Sequence, residues 1–123
     1  DEGTGNLISF YGGRSLHECS HGESFMQLIE SRFKEKTLYI LDEPEAALSF
    51  NSLLVFISFI KQYIDKGSKF IIATHSPVLL AMEEAVIYEI SNNEIKKSSF
   101  DDLEQINLLK SFLKNPNSYL KHL

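Results

Sequence analysis

Two adjacent carboxylates end an apolar run in the segment LYILDEPEAALS, residues 38–49, where Asp42 and Glu43 follow Leu38, Tyr39, Ile40 and Leu41. A second apolar run, FIIA at 70–73, leads into Thr74 and His75. A carboxylate at a strand end can hold a hydrated Mg²⁺, and a second carboxylate beside it can polarise a water for in-line attack on a phosphoryl group. Each feature alone has an ordinary structural explanation: Asp42 caps the turn at Pro44, and His75 is a loop histidine. Placed at the ends of neighbouring parallel strands, the two would meet at the sheet edge where open α/β sheets collect their chemistry.

A third segment, HECSHGES at 17–24, carries Ser20 and Glu23 at the S-x-x-E spacing of a capping box. That box by itself accounts for both residues. The same geometry serves a second purpose, because a capped helix start with Gly22 beside it offers backbone N–H groups and a positive dipole end to a phosphate.

The elements that must position these groups follow from hydrophobic spacing. Phe25, Leu28, Ile29 and Phe33 recur at helical intervals and predict a helix over 24–33. Residues 38–41 read as a strand covered on both faces, the pattern of a parallel strand. Leu53, Phe56, Ile57, Ile60 and Ile64 mark a long helix starting after Ser49 or Asn51 and stopping at Gly67. With a strand over 70–73 this makes a βαβ unit, whose strands run parallel. Ser76 and Pro77 suit the start of a short helix. A strand over 85–90, a tight turn at Asn92 and Asn93, and a partner over 94–97 follow. An amphipathic helix with Leu103, Ile106, Leu109, Phe112 and Leu113 is broken near Pro116. The glycine-rich residues 1–19 predict a loop with a short strand over 7–11. The class is α/β.

Composition narrows the partners. A chain of 123 residues is at most one domain and buries about two thirds of its unfolded surface if it folds alone. With 43% hydrophobic and 24% charged residues it has a globular composition. Twelve basic and seventeen acidic side chains give a net charge of -5, which does not favour nucleic acid or an anionic membrane. The lone Cys19 fits a reducing compartment. With no 18-residue apolar run and no signal-like N-terminus, a cytoplasmic location without membrane insertion is expected.

Taken together these segments resemble the ABC-class ATPases. LYILDEPEAALS is similar to their Walker B strand, catalytic glutamate and D-loop; FIIATHSPVLL is similar to the histidine switch; CSHGES is similar to a variant of the LSGGQ signature. The motifs stand in the family's order over residues 17 to about 90. Their wording is closest to small soluble ATPases related to the chromosome-maintenance and DNA-repair members.

The resemblance implies ATP and Mg²⁺ as cofactors and a role for each matching residue. Asp42 would contact the Mg²⁺ through water, Glu43 would orient or deprotonate the attacking water, and His75 would clamp the γ-phosphate. Ser20, His21, Gly22 and Glu23 would form the signature loop, with Ser20, Gly22 and Glu23 touching a γ-phosphate bound mainly by a second protomer. Ala46 to Ser49 would be the D-loop. In the signature His21 replaces the first glycine and Cys19 the leucine, and Ser49 stands where the family mostly has aspartate.

The family's P-loop, G-x-x-x-x-G-K-[ST], is absent from the sequence. Its nearest imitation, Gly13-Arg14-Ser15, would need a leading glycine at position 8, which is Ile8. The expectation is therefore a single partial domain over 1–123, the C-terminal half of an ATPase domain. It comprises a motif-bearing core at 17–90 and a helical extension at 100–123. In the family's sheet order the P-loop strand separates the histidine-switch strand from the one at 85–90, so its absence leaves apolar edges prone to pairing. The implied partner is a second ATPase protomer, as in a homo-oligomer, or a P-loop-bearing half. Three alternatives stand beside the hydrolase: a non-hydrolysing module docking its signature loop on a partner ATPase, a transporter's nucleotide-binding subunit, and an unrelated α/β phosphohydrolase with Asp42 as nucleophile.

Overall fold

The computed structural model describes Gln27, Ile29 and residues 31–123. The expected strand over 7–11, the signature-like loop and the start of the first helix lie outside the described residues. The chain divides into two compact units, Asp1–Leu79 and Leu80–Leu123.

In the first unit the parallel strands β1 (Leu38–Asp42) and β2 (Lys69–Ala73) are joined through α1 (Phe50–Asp65). Gln27, Ile29, Ser31 and Arg32 are helical, and the Phe33 N–H donates to the Ile29 carbonyl at 2.9 Å. Helix α1 starts at the Ser49 cap, whose hydroxyl oxygen accepts the Ser52 N–H at 3.1 Å. It ends in a Schellman arrangement: the Gly67 N–H donates to Ile64 O at 3.0 Å and the Ser68 N–H to Tyr63 O at 2.9 Å. Gly67 supplies the left-handed backbone this needs, with φ 89°.

Leu53, Phe56, Phe59, Ile60 and Tyr63 of α1 are buried at helical spacing, together with Ile29 and Phe33. Phe33 is the hub of an aromatic cluster, its ring 4.8 Å from Tyr39, 5.4 Å from Tyr63, 5.7 Å from Phe70 and 6.3 Å from Phe56. Tyr39 and Phe70 are register partners and stack at 5.2 Å, so one face of the strand pair is closed by aromatic packing. At the strands' amino ends the buried Ser68 hydroxyl donates to Lys34 O at 2.7 Å and accepts the Thr37 N–H at 3.2 Å.

The opposite face departs from the expectation of two covered faces. Leu38, Ile40 and Ile71 alternate onto it and are 54%, 51% and 59% exposed. An unbroken apolar run marks a strand whose two faces are both apolar, but it does not by itself say that both are packed.

In the second unit β3 (Ile87–Ser91) and β4 (Glu94–Ser98) pair antiparallel through Asn92 and Asn93, at φ 49° and 65°. Two consecutive left-handed residues make the type I′ turn that suits the twist of a two-residue hairpin. Along the chain α2 (Pro77–Leu80) follows β2, and after the hairpin come α3 (Glu104–Lys114) and α4 (Asn117–Leu120). The Ser111 and Tyr119 hydroxyls lie 2.6 Å apart, and the Phe112 and Tyr119 rings 5.8 Å apart, so the short α4 folds back onto α3 after Pro116. The described strands thus form two separate two-stranded sheets, one parallel and one antiparallel, in an α/β protein. Among the described residues no helix is long and apolar enough to cross a membrane.

Candidate active site at the carboxyl ends of the parallel strands

Register decides where the acids stand. Asp42 is the partner of Ala73, so both strands end at the same level and the chain leaves them side by side at one edge of the sheet. Asp42, Glu43 and His75 are all exposed there. A carboxylate pair and a histidine are thereby delivered to one end of the sheet by strands whose aromatic packing lies on a single face.

Glu43 is held in an unusual backbone conformation, with φ 48° and ψ 54°. The left-handed region is uncommon for any residue other than glycine, and a residue preceding proline is driven toward extended backbone. Such a conformation costs about 1 to 3 kcal/mol and persists only where the surroundings over-determine it. They do so here through several contacts. The Glu43 N–H donates to Ala73 O at 2.7 Å, extending the strand ladder by one bond, and the Ala46 N–H donates to Glu43 O at 3.1 Å. Pro44 follows at the start of a 3₁₀ turn (Pro44–Ala47) with its ring fully buried. The turn closes with the Leu48 N–H donating to Glu45 O at 3.0 Å.

The second strand end is braced by its own hydroxyls. Thr74 Oγ1 accepts the Ser76 N–H at 2.9 Å, and Ser76 Oγ accepts the Leu79 N–H at 3.3 Å, capping α2 as its Ser-Pro start predicts. The two strand ends are then joined by Glu45, whose Oε2 accepts the His75 N–H at 3.3 Å across thirty residues of sequence. Its other oxygen, Oε1, is buried without a hydrogen-bond partner among the described residues. Motif reading does not single out Glu45; the repeated acid of the DEPE run is the available signal.

Of the other site candidates, Ser49 serves as the cap of α1, accepting the Ser52 N–H and donating to Ser52 Oγ at 3.1 Å. Ser20, His21, Gly22 and Glu23 lie outside the described residues. Among the described residues no cluster of three or more His, Cys, Asp or Glu could cage a metal ion. The donor set at the strand ends is instead an exposed aspartate with a glutamate next to it in sequence. That set suits Mg²⁺, which keeps most of its waters and takes one or two carboxylates plus substrate phosphate oxygens. No family model, curated protein or solved structure matches the chain.

Proposed function

We propose that this chain is the water-activating part of an ATP phosphohydrolase of the ABC class, with its chemistry at the ends of β1 and β2. The observation that carries the proposal is Glu43. A glutamate kept in left-handed backbone ahead of a proline, at the end of a strand and with its N–H tied to the neighbouring strand, is paid for in stability. A glycine or asparagine would form the same turn at lower cost. A carboxylate at such a position supports a chemical use for it.

Glu43 would accept a proton from the water whose oxygen bonds to the γ-phosphorus as the bond to the departing ADP oxygen breaks. His75 would hold a γ-phosphate oxygen from the neighbouring strand end. Asp42 would hold Mg²⁺ through water, and the bound ion would neutralise charge on the phosphates. Because the sequence has no P-loop, the phosphate cradle must come from another polypeptide segment, in keeping with a second protomer or a P-loop-bearing half as partner.

The test is Glu43→Gln in the chain assembled with a P-loop-bearing partner. The substitution keeps size and backbone while removing the base, so hydrolysis should fall by on the order of 10²- to 10⁴-fold with ATP binding retained.

A further inference from the structure

We propose that Glu45 is the positioning residue of the histidine loop, its carboxylate setting where His75 stands relative to the Glu43 turn. The catalytic purpose of that placement rests on the phosphohydrolase reading, whereas the contact itself does not.

Glu45 is suited to the task by where it is anchored. It lies in the 3₁₀ turn that begins at the buried Pro44, and its own carbonyl closes that turn by accepting the Leu48 N–H at 3.0 Å. Its backbone therefore moves with the Glu43 turn. From there Oε2 reaches the His75 N–H at 3.3 Å, giving a side-chain link between the residues that follow β1 and those that follow β2. On the far side, Thr74 and Ser76 brace the loop locally through the Ser76 and Leu79 N–H groups. The His75 N–H thus meets its acceptor across the sheet end rather than within its own loop.

The cost of this arrangement points the same way. Among the described residues Oε1 is buried with no donor, and a buried carboxylate oxygen left unsatisfied is expensive. A glutamine at this position would place a neutral amide at the same reach. A carboxylate makes the stronger bond to an N–H, by roughly a factor of two over a neutral acceptor.

The experiment is amide hydrogen exchange and ¹⁵N-resolved NMR on the full chain without nucleotide, comparing wild type with Glu45→Ala and Glu45→Gln. Glu45→Ala should speed exchange of the His75 amide about 10-fold or more, while the Glu43 amide, bonded to Ala73 O, keeps its protection. Glu45→Gln, whose carboxamide oxygen can still accept, should restore most of that protection and move the His75 amide proton upfield, because the neutral acceptor bonds more weakly. Unchanged His75 exchange in Glu45→Ala would overturn the assignment. Should that variant fail to fold, an unmoved His75 amide resonance in Glu45→Gln overturns it equally. Since no nucleotide enters the measurement, a failure of ATP turnover would refute the phosphohydrolase reading and leave the Glu45–His75 contact standing.

Discussion

The main-chain N–H of Glu43 donates to the carbonyl oxygen of Ala73 at 2.7 Å, one residue past the Asp42–Ala73 register pair. This bond carries the parallel ladder into the turn and holds a pre-proline glutamate at φ 48°. If the turn stores strain, releasing it should stabilise the fold. Glu43→Gly is expected to be more stable than Glu43→Ala by about 1 kcal/mol, because only glycine enters the left-handed region without penalty. Urea denaturation of the two variants decides it; a glycine variant no more stable than the alanine one would mean that the turn is relaxed.

The aromatic hub makes a second prediction. Phe33 is buried and within ring contact of Tyr39, Phe56, Tyr63 and Phe70, so Phe33→Ala should cost about 3 to 5 kcal/mol. A loss of that size is a large fraction of the stability of any small domain. Ile71→Thr, on the exposed face, should cost under about 1 kcal/mol. Equal losses from the two substitutions in chemical denaturation would contradict the assignment of faces.

At the end of α1, Gly67→Ala should destabilise by about 1 to 2 kcal/mol for two independent reasons. The φ of 89° is costly for any residue with a Cβ, and that Cβ would come within 3.2 Å of the Lys36 Cγ. Thermal unfolding at matched concentration measures the effect, and an unchanged midpoint would argue against the left-handed cap.

In the hairpin, Asn93→Gly should stabilise slightly, by about 0.5 kcal/mol, since a type I′ turn prefers Asn-Gly over Asn-Asn. A clear loss of hairpin cross-strand contacts by NMR would refute that turn type.

Much of this architecture can be read from residue order. The strands at Leu38–Asp42 and Lys69–Ala73, the long helix between them, its glycine cap and the Asn-Asn turn all announce themselves through spacing and turn chemistry. Burial is less legible. An apolar run identifies β1, yet whether Leu38 and Ile40 are packed depends on what lies opposite, which local sequence does not encode. The site divides the same way. Asp42, Glu43 and His75 are visible as strand-end residues, and register places them at one sheet edge. The left-handed Glu43 runs against its local preference and depends on Ala73, thirty residues away. Glu45 escapes motif reading for a related reason: its role is a hydrogen bond to a distant main-chain N–H.

The central claim is that Glu43 activates water for attack on ATP. Its most direct test is the single-turnover rate of Mg·ATP hydrolysis by the chain assembled with a P-loop-bearing partner, wild type against Glu43→Gln, with ATP affinity measured in parallel. The expected result is a rate lowered on the order of 10²- to 10⁴-fold at unchanged affinity. An undiminished rate in Glu43→Gln would contradict the account.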